Sequence, residues 1–88
     1  MTDKNKQCAA CNAVLGERDY QDRRWADAPS KGVHDTAGYI TFMQHYVTVA
    51  AQQITKSEDD TAALDTIRKI AALGVACMEQ NGVVHRKE

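Results

Sequence analysis

Two apolar series at helical spacing, Ile40, Met43, Val47, Ala50, Ile54 and then Leu64, Ile67, Ala71, Gly74, Met78, flank the short acidic break Ser57-Glu58-Asp59-Asp60. Both run 3-4-3-4, the period of one face of an α-helix, and so short a connection predicts an antiparallel helical hairpin. A strand competes in the first series, because Tyr39-Ile40-Thr41-Phe42 and Tyr46-Val47-Thr48-Val49 are rich in β-formers. The pattern does not alternate and no turn residue interrupts it, which favours helix. His34-Asp35-Thr36 offers Asp35 or Thr36 as an N-cap, and the carboxylates ahead of Thr61 suit the positive end of a second helix. Asn81-Gly82 is a stop signal, with Val83-Val84 as a clasp back onto the last turn. The expected helices are 36–56 and 60–80, followed by a flexible tail, 83–88.

Upstream, Cys8, Cys11 and Leu15 recur at i, i+3 and i+7 with Val14 beside them, in a stretch free of Pro, which predicts a first helix over 6–25. Gly16 costs that helix about 1 kcal/mol relative to Ala. A start after Cys11, with Cys8 to Cys11 in a turn, is the alternative. Asp27-Ala28-Pro29-Ser30-Lys31-Gly32 has the chemistry of a loop. The fold expected is all-α: one three-helix domain over 1–88, made of a helix, a loop and a hairpin, with the first helix packed across the hairpin.

Eighty-eight residues bury a smaller share of their surface than a larger domain does. Ile40, Phe42, Tyr46, Val49 and Ile54 wrap more than one face of the second helix, a surplus that points to a homo-oligomer with Phe42, Tyr46 and Val49 at the interface. With 11 Lys+Arg against 12 Asp+Glu, the chain lacks the positive field that non-specific nucleic-acid binding requires. It has no run of about 18 apolar residues, so no membrane span is expected. Met1-Thr2-Asp3-Lys4-Asn5-Lys6 lacks the apolar core of a signal peptide, which makes the cytosol the expected compartment. Three cysteines are an odd set there, and argue for buried thiols or metal ligands over a disulfide framework.

Arg18, Gln21 and Trp25 share one helix face and could clamp a planar ligand: the indole stacks, the guanidinium takes a phosphate, the amide reads an edge. The alternative is a packing Trp beside an Arg18–Asp22 pair at i, i+4. His34-Asp35 could supply a proton carrier and a metal ligand, although capping is the simpler task for Asp35, and His45 reads as a core or interface residue. Cys8-Ala9-Ala10-Cys11 has the spacing of half a zinc site. Its further ligands would have to come from His34, His45, Cys77 or His85, none of which forms a second close pair, so two thiols packed on a helix face is the default. Among the carboxylates Glu17, Asp19, Asp22, Asp59, Asp60, Asp65 and Glu79 there is no Glu-Glu-x-x-Glu, and Glu58-Asp59-Asp60 reads as a helix-start cluster.

Glu17-Arg18-x-x-Gln21-x-x-x-Trp25, then His34-Asp35 before a helix, then Lys69-Ile70-Ala71-Ala72-Leu73 with Ala76 and Glu79, resembles small bacteriophage and prophage proteins related in pattern to the MazG-like all-α nucleotide pyrophosphohydrolases. The resemblance covers roughly Leu15 to Glu79. It implies an all-helical fold, oligomerisation and, in active members, magnesium-dependent cleavage of a nucleoside triphosphate to monophosphate and pyrophosphate. There a Glu-rich motif on one helix and a Glu-x-x-Asp motif on the next hold the metal. This chain departs from that pattern: 36–56 contains no acidic residue, and Lys69 stands where the later metal-binding Asp would lie. A cation there repels magnesium. Kinship with these departures implies a protein that binds a nucleotide or phosphorylated small molecule without hydrolysing it, through Arg18, Gln21, Trp25, His34 and Lys69, with neither magnesium nor zinc as an assured cofactor. One alternative is an anti-defence protein that inhibits a host defence or regulatory protein by surface contact. Another is a magnesium-dependent hydrolase with an irregular site at Glu17, Asp22, Asp35 and Asp65.

Overall fold

A computed structural model describes residues 3–87 and contains α1 (Lys4–Trp25), α2 (Thr36–Lys56) and α3 (Thr61–Asn81), with no strand among the described residues. Residues 1 and 2, and residue 88 at the end of the expected tail, lie outside that range. The all-α fold and the α2–α3 hairpin are as the spacing predicts. Among the described residues no helix is long and apolar enough to cross a membrane.

Each helix starts on a carboxylate. Asp3 accepts from the N–H groups of Asn5 (2.9 Å) and Lys6 (3.3 Å), so α1 begins ahead of the expected boundary and Cys8 to Cys11 are helical rather than in a turn. Asp35 accepts from the Gly38 N–H at 2.7 Å. At the start of α3 the acceptor is Asp59, bonded to the Thr61 N–H at 2.9 Å, while Asp60 in the cap position makes no side-chain bond. Gly82 ends α3 with its N–H on the Met78 carbonyl (3.0 Å). The expected Val83-Val84 clasp does not form: the two are 57% and 90% exposed. Gly82 has φ 116° and ψ 153°, an extended exit in place of the tight left-handed turn that folds a chain back on its helix.

Apart from Ala50 and the half-buried Met43, the two apolar stripes do not make the core. In α3 the buried residues are Ala63, Thr66, Ala72, Leu73 and Ala76, one step around the helix from the stripe, whose Leu64, Ile67 and Met78 are largely exposed. In α2 the buried residues are Tyr39 and Ala50, with Ile40, Val47 and Ile54 exposed. Alanines let the helices approach closely, so bulky neighbours flank the contact instead of filling it. Tyr39, Leu73 and Ala76 form the buried centre, surrounded by Trp25, Met43, Tyr46 and Cys77.

α1 lies against α3, and its buried residues are all polar, Glu17, Arg18 and Gln21, with Trp25 half-buried at its end. Residues 3–13 are all exposed, and so is Leu15. The expectation that Cys8 and Cys11 pack on a helix face is thus corrected. Contact with α3 begins near Glu17, and the first half of α1 runs on past it.

The connection from α1 to α2 winds through turns closed by the Ala28, Lys31 and Val33 N–H groups and reaches positive φ at Lys31 (57°) and Gly32 (71°). Gly32 is the meeting point of the three helices. Its carbonyl accepts from the Tyr39 hydroxyl (2.9 Å) and from Gln80 Nε2 (2.8 Å), and the Trp25 indole lies on its Cα. The neighbouring His34 donates its N–H to Gln80 Oε1 and accepts from Asn81 Nδ2, both at 3.1 Å. A Cβ on Gly32 would sit 2.7 Å from Trp25 Cε3, at a φ that disfavours any L side chain. Gly32→Ala should therefore lower stability by about 1–3 kcal/mol, read as a drop of several degrees in the thermal midpoint. Tyr39→Phe should lose about 1 kcal/mol, since Gln80 still serves the carbonyl. Midpoints unchanged in both variants would show that the connection is not anchored at Gly32.

Candidate ligand cavity

The C-terminal half of α1 lies against α3, and between it and the hairpin is a cavity of about 360 Å³. Tyr20, Gln21, Arg24 and Trp25 reach it from one face of α1, Tyr46 from α2, and Lys69 and Leu73 from α3. A smaller cavity, about 250 Å³, is lined by Trp25, Ser30, His34, Phe42, Tyr46 and Leu73. The two share Trp25, Tyr46 and Leu73.

Of the residues singled out from the sequence, Gln21, Trp25 and Lys69 come together in the larger cavity, and Glu17 lines it with them. His34 lies in the smaller one, edge-on to Tyr39 and Phe42 with ring centroids 5.3 and 4.9 Å away. Arg18 lines neither. It is buried and makes a two-toothed contact with Glu79, Nε to Oε2 at 2.8 Å and Nη2 to Oε1 at 3.1 Å, while Nη2 also donates to Asp22 at 3.0 Å. The i, i+4 pair with Asp22 is thus present, but Glu79 is the dominant partner. It raises the Arg18 pKa further above its already high ordinary value, and Arg18 in turn holds the Glu79 carboxyl below the usual carboxylate range. Arg18 Nη1 also donates to Gln21 Oε1 at 3.3 Å, so Arg18 acts on the cavity by orienting Gln21.

A second set of ion pairs runs along the other side of α1. Arg68 Nε donates to Glu17 Oε1 at 2.8 Å, Arg68 also pairs with Asp65, and Lys69 Nζ stands 3.4 Å from the other Asp65 oxygen. Arg68 holds the Asp65 carboxyl below its ordinary pKa. Glu17, Asp22 and Asp65 therefore each face a cation, and Asp35 caps α2. Among the described residues, no three His, Cys, Asp or Glu side chains converge in a way that could hold a metal ion. Cys8 and Cys11 are exposed, and Cys77 is half-buried beside the core.

Tyr20, Arg24 and Tyr46 belong to the cavity although the helical spacing of Arg18, Gln21 and Trp25 does not point to them. Tyr20 and Arg24 could have been found, since they stand four residues apart and directly precede Gln21 and Trp25. The sequence pattern instead groups Tyr46 with Phe42 and Val49 as interface residues. Phe42 borders the His34 cavity, and Val49 is half-buried near the α2–α3 connection, beside Gln53 and Ser57. His45 sits edge-on to Tyr46 at 5.2 Å.

The arrangement is a cleft with aromatic walls, two cations at its border and one carboxylate, Glu17, whose charge is met by Arg68. Arg24 forms no ion pair among the described residues, and Lys69 is held only by the 3.4 Å contact. Such a site can take a flat ring and an anionic group together. Comparison of the chain with protein-family models, curated proteins and solved structures finds no match.

Because the Glu79 pKa is lower folded than unfolded, its contribution to stability is complete above about pH 4.5 and is lost as pH falls through the folded value. Glu79→Gln should remove that part of the acid dependence. It should also cost about 1–2 kcal/mol at neutral pH, since Arg18 keeps Asp22 while Glu79 is half in solvent. Urea titrations of both proteins from neutral pH into acid measure this, and superimposable profiles would mean that Glu79 does not tie α1 to α3.

Proposed function

We propose that this protein binds a nucleotide or another phosphorylated planar small molecule in the cavity between α1 and the hairpin, and does not hydrolyse it. The observation that carries the reading is the pairing of the Trp25, Tyr20 and Tyr46 rings with Arg24 and Lys69 around one space of about 360 Å³. That volume falls within the range of small-molecule sites. In this reading the ring system stacks on aromatic side chains and the phosphates meet Arg24 and Lys69. Gln21 has its Oε1 engaged by Arg18, which leaves its Nε2 to donate to an acceptor on the ligand's edge. His34, in the adjoining cavity, is close enough to a shared wall to contact a ligand that extends past Trp25. The resemblance to phage proteins of MazG-like pattern supports the same ligand class.

The view that hydrolysis is lost rests on where the carboxylates are. Glu17 and Asp65 are committed to Arg68, Asp22 to Arg18, and Lys69 puts a positive charge on the cavity wall. A magnesium site needs carboxylates that converge and are free to coordinate. The rival view, an inhibitor of a host protein that works by contact, draws on the apolar residues exposed along α2 and α3. A second copy of the chain accounts for that face without a host partner.

Thermal stability measured against a panel of nucleoside triphosphates and cyclic nucleotides, with and without magnesium, tests the proposal. A ligand at about 100 times its dissociation constant should add about 2.7 kcal/mol. Arg24→Ala and Lys69→Ala, both at the border and not in the core, should reduce or abolish the shift while leaving the unliganded midpoint nearly unchanged. Absence of any shift across the panel would overturn ligand binding. Pyrophosphate release in the presence of magnesium would overturn the loss of hydrolysis.

A further inference from the structure

We infer that the apolar face left open along α2 and α3 is covered by the same face of a second copy of this chain, hairpin against hairpin. Ile40, Val47 and Ile54 line one side and Leu64 and Ile67 the other, and each is about half exposed or more: 47%, 54%, 52%, 62% and 51%. Val47, Ile54, Leu64 and Ile67 border one shallow groove between the helices, and Ile40 continues it along α2. These are the residues of the two sequence stripes that the chain's own core does not use.

Three observations identify the occupant. The first is area. A folded monomer of 9.7 kDa should expose about 5,100 Å², whereas this chain exposes 6859 Å². The excess of roughly 1,800 Å², shared among the projecting part of α1, the tail and this apolar face, exceeds the roughly 800 Å² that one partner contributes to a stable interface. The second is charge. Over its whole length α2 carries a single formally charged side chain, Lys56 at its last position, in a chain that is 26% charged. A helix bathed in water on that side would carry the usual charged face, and depletion of charge is the mark of an interface centre. The third is symmetry. Asp60, at the end of the groove where α2 turns into α3, is its one charged lining residue. The rest offers no charge for an oppositely charged partner to complement, while two such faces related by a two-fold axis across the groove meet apolar on apolar with the two Asp60 carboxylates at opposite ends. The product is a four-helix layer made of two hairpins, with both α1 helices and both ligand cavities outside it.

Sedimentation equilibrium of the intact protein, with the thermal midpoint followed over a range of concentrations, tests this inference. The mass should be that of two chains or a multiple of two, and the midpoint should rise with concentration. Val47→Lys and Ile67→Glu should shift the mass to that of one chain, whereas Leu15→Glu, on the exposed half of α1, should leave it unchanged. Should the groove variants fail to fold, a photoreactive residue at position 67 of the otherwise unaltered protein should crosslink to α2 or α3 of another copy, and one at position 15 should not. A single-chain mass for the unaltered protein overturns the inference. So does an oligomer whose crosslinks map to α1, or crosslinking from position 67 only to a different protein added from a lysate.

Discussion

The carbonyl of Gly32 holds the connection between α1 and α2 in place, and with it the positions of all three helices. One donor comes from α2, the Tyr39 hydroxyl, and one from α3, the Gln80 amide, while the last residue of α1, Trp25, rests on the Gly32 Cα. Both lone pairs of a buried carbonyl are satisfied, which removes the cost that a bare one would carry. Burial pushes the Tyr39 phenol above its ordinary pKa, so it remains a donor throughout the neutral range. Only a residue without a Cβ can occupy the point where the indole lies, at a φ of 71°. Both cavities are lined by Trp25, so their shape depends on this one contact as much as the fold does.

α1 presents no apolar stripe to α3. Its place is set by Arg18 with Glu79 and by Arg68 with Glu17, two contacts of opposite polarity on neighbouring positions of the same helix. Arg18 is nearly all buried, and a buried guanidinium is tolerable only because its N–H groups are shared among Glu79, Asp22 and Gln21. Arg18 is therefore a positioning residue: it fixes the rotation of α1 and the orientation of Gln21. Arg24, one helical face away and without an ion pair among the described residues, has the freedom to meet a ligand that Arg18 lacks.

Helix boundaries and caps were legible in the sequence because they depend on near neighbours. Asp35 caps α2 and Gly82 ends α3 through bonds that span three or four residues, and the 3.6-residue period marks every helix wherever the chain folds. What was not legible was the direction in which the apolar residues point. A stripe says that a face is to be covered and is silent on what covers it. In α3 the alanines beside the stripe took the helix contact, and Leu64 and Ile67 were left exposed. Similarly, the spacing of Arg18, Gln21 and Trp25 placed them on one side of α1, but α3 divides that side, with Arg18 on the ion-pair flank and Gln21 and Trp25 on the cavity.

Sequence alone thus determined an all-α chain of three capped helices, a hairpin and a surplus of apolar side chains, all consequences of local periodicity, capping and composition. The tertiary structure decided which Arg became structural, that Tyr20, Arg24, Tyr46 and Lys69 share a cavity with Trp25, and which apolar face stays open. Those outcomes turn on contacts between residues up to 61 positions apart, such as Arg18 and Glu79. Pairings at that separation are chosen by the shape and charge of the assembled helices, and a one-dimensional pattern carries neither.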